Sequence, residues 1–545
     1  MKQALSIILT VIFTLSLTAC TVENSGKKPS ETLAPVDFEL EELAIPEKYA
    51  FFEELYNGQK KAVQRELSSF RTYIAVKSGT RYGFRGLESF EYDYNAAKYV
   101  PVMISGRLYA GAEALAAAFG LDYGETGDGL SFSYNEYCFT LCNDRDEVSY
   151  DGKTEAFYRP RLIDGKYYID VENLARLMDY NYGYYEEDGL GFMWTGDRSE
   201  DDYNAAKERF EMYDDLIYGG ESVECDTTGS GIYEKTDPSE RLVGVAYTTW
   251  WWKGRDWDNG NTWDIPLLGR YESSDEAVLR QHAIWLRDAG VDFVFVDWSN
   301  DIAYNPETDR ASRQDFRTIE ESTTKLFEVW SKIPGAPKIC IFTGPGHVQT
   351  ASCNCLTNGM MAAKNDQIYN DYVANPDYGD MYFYYEGKPL LMCYAATPSF
   401  IQDNVSPYSD DRFTMRWVTG YVGQQSNLFD AETRVSKMFW SWEERGAQTF
   451  TVYNGKPEAM TVTAASRPEG EKGGETRDDG ATFRKKWARA DLIGVKIVLV
   501  VSWNEWTTGE QPSPELSKDI EPSETYGTFY LDLMRQEIRK FKGLE

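Results

Sequence analysis

The stretch Lys496-Ile-Val-Leu-Val-Val-Ser-Trp-Asn-Glu-Trp506 constrains the fold more than any other part of the chain. Its apolar run is short, rich in β-branched residues and does not alternate, so it predicts a strand buried on both faces. Comparable runs lie at 242–249, 291–298, 338–344, 389–396, 413–420 and 460–466. Helical patterns at 274–289, 315–332, 430–445, 483–494 and 526–542 fall among them. This alternation predicts an α/β fold of parallel strands joined by crossover helices. The length from 241 to 545 suits an eight-stranded (β/α)8 TIM barrel, with one strand, between 438 and 453, hard to place. A doubly wound open sheet is the alternative, weakened because no Gly-rich phosphate loop follows the first strand.

The segments before this region read differently. Met1-Lys2, the apolar stretch Ala4 to Leu17 and Leu17-Thr-Ala-Cys20 form a cleavable leader ending at a cysteine. They resemble a bacterial lipoprotein signal, which implies a lipidated Cys20 and an extracytoplasmic chain anchored at the bacterial cell membrane. Residues 21–45 are polar, with Pro, Ser, Thr and Glu, and read as a flexible tether. Residues 47–78 have helical periodicity through Phe51, Phe52, Leu55 and Tyr56. Within 46–197 lies an internal repeat. Ser105-Gly-Arg-Leu-Tyr109, Glu113-Ala-Leu-Ala116 and Asp128-Gly-Leu-Ser-Phe132 recur as Asp164-Gly-Lys-Tyr-Tyr168, Glu172-Asn-Leu-Ala175 and Asp188-Gly-Leu-Gly-Phe192. Each copy predicts strand, turn, strand, short helix, hairpin, with the Gly supplying a positive φ in the turn. The pattern resembles the copper amine oxidase N-terminal-like domain, an α+β accessory module. No histidine falls within it, so the resemblance implies no copper; it implies a spacer or a module that binds cell wall or glycan. Residues 198–240 read as a connecting helix and linker.

The net charge of −32 argues against nucleic acid or an anionic membrane surface as a partner. Beyond Cys20 an odd number of the chain's 8 cysteines remains, and none forms a paired C-x-x-C spacing. Cys340 and Cys393 fall inside apolar strands and read as small buried hydrophobes. With only His282 and His347 as histidines, neither a metal centre nor another cofactor is expected.

In a β/α barrel the active groups gather at the C-terminal ends of the strands. Those ends carry Tyr247 and Thr248-Thr-Trp-Trp-Trp252, Asp297-Trp298-Ser-Asn300, Thr343-Gly-Pro-Gly-His347, Arg416-Trp417 and Trp503-Asn504-Glu505-Trp506. Carboxylates interleaved with indoles suit a sugar, which offers C–H faces to rings and hydroxyls to acids. Trp251, Trp298, Trp503 and Trp506 are the candidate stacking platforms. Tyr247, His347, Arg416 and Asn504 are further candidate contacts for a polysaccharide or oligosaccharide substrate.

Several of these segments together carry a family resemblance. Val245-Ala-Tyr-Thr-Thr-Trp-Trp251, Pro266 to Asp275, His282, Ala289-Gly-Val-Asp-Phe293, Asp297-Trp298, Trp503-Asn-Glu-Trp506, Asp519-Ile-Glu-Pro522 and Tyr526-Gly527 resemble glycoside hydrolase family 99 and its relatives of the 71/99 type. The resemblance covers most of 242–542. It implies a barrel that acts on α-linked mannan- or glucan-type chains with retention of configuration. The family pattern Asn-Glu-Trp-x-Glu-Gly implies two catalytic glutamates, and here only the first is kept, as Glu505. The second falls on Thr508, which cannot act as a tuned proton donor. Glu510, Asp519 or Glu521 could take its place, or Asp297 could partner Glu505. The third reading is a surface lipoprotein that binds glycan without cleaving it.

Overall fold

The computed structural model describes residues 38–51, 73–93, 98–134, 137–219, 223–252, 262–299, 314–344, 359–395, 408–466, 474–506 and 513–544, with a few isolated positions between. The segments carrying Cys20, Leu55, Tyr56, His347, Thr508 and Glu510 lie outside the described residues.

Both copies of the repeat follow the expected order. Val102–Ile104, Arg107–Gly111, helix Ala112–Ala118 and the hairpin Asp122–Thr126/Gly129–Tyr134 form the first. Arg161–Ile163, Lys166–Asp170, helix Val171–Leu177 and the hairpin Asn181–Tyr185/Leu190–Trp194 form the second. The turns hold Ser105 at φ 45°, Gly106 at 80°, Asp164 at 48° and Gly165 at 83°, the doubly left-handed turn that matches strand twist. The strands Arg107–Gly111 and Lys166–Asp170 pair antiparallel within one sheet, while the two hairpins join different sheets. Residues 73–77, the tail of the expected helix at 47–78, instead form a strand paired with Leu190–Trp194. The β-branched and aromatic run Tyr-Ile-Ala-Val suits that pairing better than a helix.

Helix α1, Glu200–Leu216, starts at Ser199, whose hydroxyl accepts from the amide of Asp202 at 3.1 Å. It is more than a connector. Tyr203, Ala206, Phe210 and Tyr213 recur at helical spacing and are buried. Tyr82 stacks on Phe210 at 5.5 Å and Phe84 meets it edge-on at 4.8 Å. From the same face the Tyr213 hydroxyl donates to Asp532 at 2.8 Å. The N-terminal sheet and the C-terminal half therefore share one continuous core.

The C-terminal half is built on a ten-stranded sheet. Its strands, in chain order, are β1 Leu242–Tyr247, β2 Phe293–Trp298, β3 Lys338–Thr343, β4 Lys388–Tyr394, β5 Thr414–Thr419, β6 Trp440–Ser441, β7 Phe450–Tyr453, β8 Lys456–Val462 and β9 Ile497–Val500. The short strand Tyr384–Tyr385 adds to β4. β1 to β6 pair parallel in sequence, and β8 pairs parallel with β9, which pairs with β1. β7 runs antiparallel to β8, so strand directions are mixed. The result is a nearly closed barrel. No backbone ladder joins β6 to β8 among the described residues; the Thr461 hydroxyl donates to the Ser441 carbonyl across that seam.

Helices α2 Glu276–Asp288, α3 Gln314–Trp330, α4 Met360–Ile368 and α5 Ala481–Ile493 cross between strands, and α6 Phe529–Phe541 follows β9. The non-alternating strands are buried along most of their length, and Cys340 and Cys393 are packed inside β3 and β4. The expected helix at 430–445 is absent, and the segment contains β6 instead. The Asp430 carboxylate accepts from the amides of Glu432 and Thr433 at 3.1 and 2.9 Å, and Arg434 sits at φ 61°. Side-chain capture of the backbone and a left-handed residue stop a helix there. No helix among the described residues is long and apolar enough to cross a membrane.

Because Phe210 joins two halves, Phe210→Ala is expected to lower stability by about 3–5 kcal/mol. Urea unfolding measures this, and a loss below about 1 kcal/mol would mean that α1 is a tether and not core.

Candidate functional site

After β9 the chain continues through Val501 and Ser502 to Trp503-Asn504-Glu505-Trp506, and a later segment, Ser517 to Ser523, returns alongside it. The Trp503 amide donates to Ala246 at 2.8 Å, tying the strand end to β1. The Ile520 and Glu521 amides donate to the carbonyls of Ser502 and Trp503 at 2.9 and 3.0 Å. These backbone bonds deliver Lys518 and Asp519 to Glu505. The Glu505 amide donates to Asp519 Oδ1 at 2.6 Å, and the Ser502 hydroxyl donates to the same oxygen at 2.5 Å. The Lys518 ammonium lies 2.6 Å from Glu505 Oε2 and also contacts Glu443 Oε1. Glu443 follows β6, and its Oε2 accepts from the Tyr421 hydroxyl at 2.5 Å. Asp297 closes β2, with Oδ1 accepting from the Ser299 amide at 2.8 Å. Strand ends from β2, β5, β6 and β9 thus converge on one cluster.

Its electrostatics follow from burial. Burial pushes the Asp297 carboxyl up to about 6; bonds from Ser299 oppose the rise, and the charge of Glu505 adds to it. Asp519 is pushed up to about 7, again by burial first, with Ser502 opposing and Glu505 adding. Burial works against the Lys518 ammonium, yet the carboxylates of Glu443 and Glu505 outweigh it and hold that group well above its usual range. The Tyr394 phenol, at the end of β4, is raised by burial and then by Asp297, Glu443 and Glu505. A proton-retaining carboxyl beside a second carboxylate is the arrangement acid–base chemistry requires.

Asp297, Glu505 and Asp519 are therefore brought together, and other expected site residues are placed elsewhere. Glu521 lies wholly inside: Oε1 accepts from His282 Nε2 at 2.8 Å, and Oε2 from the Tyr271 hydroxyl at 2.8 Å and Trp506 Nε1 at 2.7 Å. Tyr247 joins this network, its hydroxyl 2.8 Å from His282 Nδ1. Asn504 is bound to Thr248 through both side-chain atoms, at 2.8 Å to its amide and 3.1 Å to its carbonyl. The four indoles expected as open platforms are buried. Trp251 stacks on Trp257 at 4.0 Å and donates to the Asn504 carbonyl, while Trp298 donates to Thr323. Their apolar area packs beneath the mouth, and none of these four rings is open to solvent. Arg416 is at the other end of the strands, paired with Glu458 at 2.6 Å beneath Tyr453. It lies early in β5, and charge at that end meets Glu458 near the start of β8.

Glu443, Lys518, Tyr394 and Tyr421 were not anticipated from sequence. Trp440-Ser-Trp-Glu443 echoes Trp503-Asn-Glu505 as an aromatic strand end followed by an acid. A helical reading of 430–445 hid it. Among the described residues no group of His, Cys, Asp and Glu is arranged to hold a metal ion.

No protein-family model matches the chain, the copper amine oxidase N-terminal-like module included, and no curated protein matches it. Among solved structures it is similar to the GH99 endo-alpha-mannosidase of Bacteroides thetaiotaomicron, at 16% identity over 57% of this chain and 99% of that one, with a TM-score of 0.38. The same enzyme bound to bis-tris-propane matches at 16% identity, 56% and 98% coverage and 0.38. A glycoside hydrolase-like protein matches at 13% identity, 60% and 98% coverage and 0.38. Likenesses this distant carry no weight for function.

Because folding raises the Asp297 carboxyl to about 6, the folded chain binds more protons than the unfolded one between about pH 4 and that value, so stability falls as pH rises through this window. Asp297→Asn removes that part of the slope, a difference on the order of 3 kcal/mol. Thermal unfolding of both proteins across the window checks it; equal slopes would mean that the carboxyl is not raised.

Proposed function

We propose that the chain is a glycoside hydrolase acting on α-linked, mannan- or glucan-type glycans at the C-terminal mouth of a (β/α)8 barrel. In this reading it is held outside the cell membrane through Cys20. One observation carries the proposal: Asp297, a buried carboxyl that keeps its proton to about pH 6, shares a strand-end cluster with Glu505, whose side chain is set by Lys518. Hydrolysis of a glycosidic bond needs one carboxyl to give a proton to the departing oxygen. It needs a second, negative one to face the oxocarbenium-like transition state. Asp297 fits the first role and Glu505 the second. Asp519 fixes the Glu505 backbone. Glu521, with His282 and Tyr271, anchors the flanking Trp506. Both are positioning residues in this scheme. The choice of glycan rests on the family resemblance of the 242–542 motifs. The N-terminal repeats would serve as a spacer or wall-binding module.

A second reading keeps the scaffold and drops cleavage. Thr508, where the family pattern has its second Glu, favours a protein that binds glycan and leaves it intact.

Reducing-end release from α-mannan and α-glucan oligosaccharides separates the two. Hydrolysis is expected from the natural chain, with Glu505→Gln slower by at least about 100-fold. Because Asp297 acts protonated, kcat/KM should fall as pH rises through about 6, and Asp297→Asn should slow the reaction and erase that limb. Undiminished hydrolysis by Glu505→Gln would remove its role. Binding without release by the natural chain would establish the second reading.

A further inference from the structure

Glu505 does not meet its cation alone. The Lys518 ammonium touches Glu505 Oε2 at 2.6 Å and Glu443 Oε1 at the same time. Two oxygens bound to one nitrogen lie no more than about 5.5 Å apart, twice a charge-assisted bond length. Glu443 is itself buried and held from behind, its Oε2 accepting from the Tyr421 hydroxyl at 2.5 Å. Lys518 is also buried, its ammonium 5.6 Å from the Trp442 ring, whose own ring stacks on Phe342 at 5.0 Å. Side chains packed this way leave the ammonium little room to turn toward water.

We propose that Lys518 and Glu443 are positioning residues that set the protonation of Glu505: one ammonium divided between two carboxylates, with Glu443 as the competitor. The proposal rests on the reading of Glu505 as the working carboxylate only for its effect on rate. Among the described residues, the groups seen to act on Glu505 include Lys518 and Asp519 from the return segment, Asp297 from the end of β2, Tyr394 from the end of β4 and Glu443 after β6. Of these only Lys518 is positive. Without Glu443 the ammonium is left to Glu505 and a like charge disappears, so both changes favour ionised Glu505. Without Lys518 three acidic neighbours remain and the ionised form is disfavoured.

The two variants should therefore move Glu505 in opposite directions. Pairing is read by labelling with a water-soluble carbodiimide, which reacts with the protonated carboxyl, over a pH series in the full chain. Mass spectrometry of the peptide containing Glu505 gives the midpoint. Glu443→Gln is expected to lower that midpoint by about one pH unit, Lys518→Met to raise it by at least as much, and Lys518→Arg to restore it toward the natural value. Where glycan hydrolysis is present, the acid limb of kcat/KM should move with the same signs. Unchanged midpoints, or midpoints moving the same way in both variants, overturn the proposal. Should Lys518→Met not fold, the sign of the Glu443→Gln shift decides alone. Labelling reads the pairing without any cleavage, so absent hydrolysis with opposed midpoints refutes the glycosidase reading and upholds the shared ammonium.

Discussion

The structure of the site depends on a short backbone clamp. Residues 502–505 leave the last parallel strand, and 518–521 return against them through the amides of Ile520 and Glu521. Residues 502–505 lie beyond the sheet, tied to the end of β1 by the Trp503 amide and by Asn504, and 518–521 precede α6. Each satisfies the other's buried backbone groups, which would otherwise be costly to leave unpaired. The clamp also fixes what each side chain meets. Lys518 meets the Glu505 carboxylate, Asp519 meets its amide, and Glu521 turns inward to His282, Tyr271 and Trp506. Lys518 and Asp519 thus serve the Glu505 group, and Glu521 belongs to a separate sealed polar network.

That arrangement explains why the acids near the mouth differ. Asp297 and Asp519 are buried with few opposing charges and retain protons toward neutrality. Glu443 and Glu505 share a buried ammonium. Four carboxyls in one small region could not all ionise without mutual repulsion, and burial together with one lysine divides them into two kinds.

Much of this was legible in the sequence because most barrel strands announce themselves. Runs such as Phe293–Trp298 and Lys388–Tyr394 are apolar without alternation, which only double-sided burial explains. The turns at Ser105-Gly106 and Asp164-Gly165 were equally plain, since few residues take left-handed conformations in succession. β6 was not legible: a two-residue strand has no periodicity, and its surroundings carry apolar residues at helical spacing by coincidence. The candidate site was legible where an acid lies at or shortly beyond the end of an apolar run, as at Asp297 and Glu505. It was obscured where position depends on tertiary return, as for Lys518. Indole count misled for a related reason. Large rings beside a strand end suggest open platforms, but Trp251, Trp298, Trp503 and Trp506 fill the space below the acids. Sequence alone does not say which side of the backbone faces solvent once the chain leaves the sheet.

The seam between β6 and β8 has a mechanical meaning. Everywhere else around the barrel, neighbouring strands share a ladder of backbone bonds; at this joint a threonine side chain spans the gap. A hoop yields first at its weakest join, and Glu443 stands just beyond the end of the strand on one edge of that join. Lys486, from α5, grips both edges, donating to the Glu444 carbonyl at 2.9 Å and to the Thr463 hydroxyl at 2.6 Å. Lys486 works as a rivet: it ties the segment that carries Glu443 to the end of β8, across the one joint that lacks a backbone ladder among the described residues.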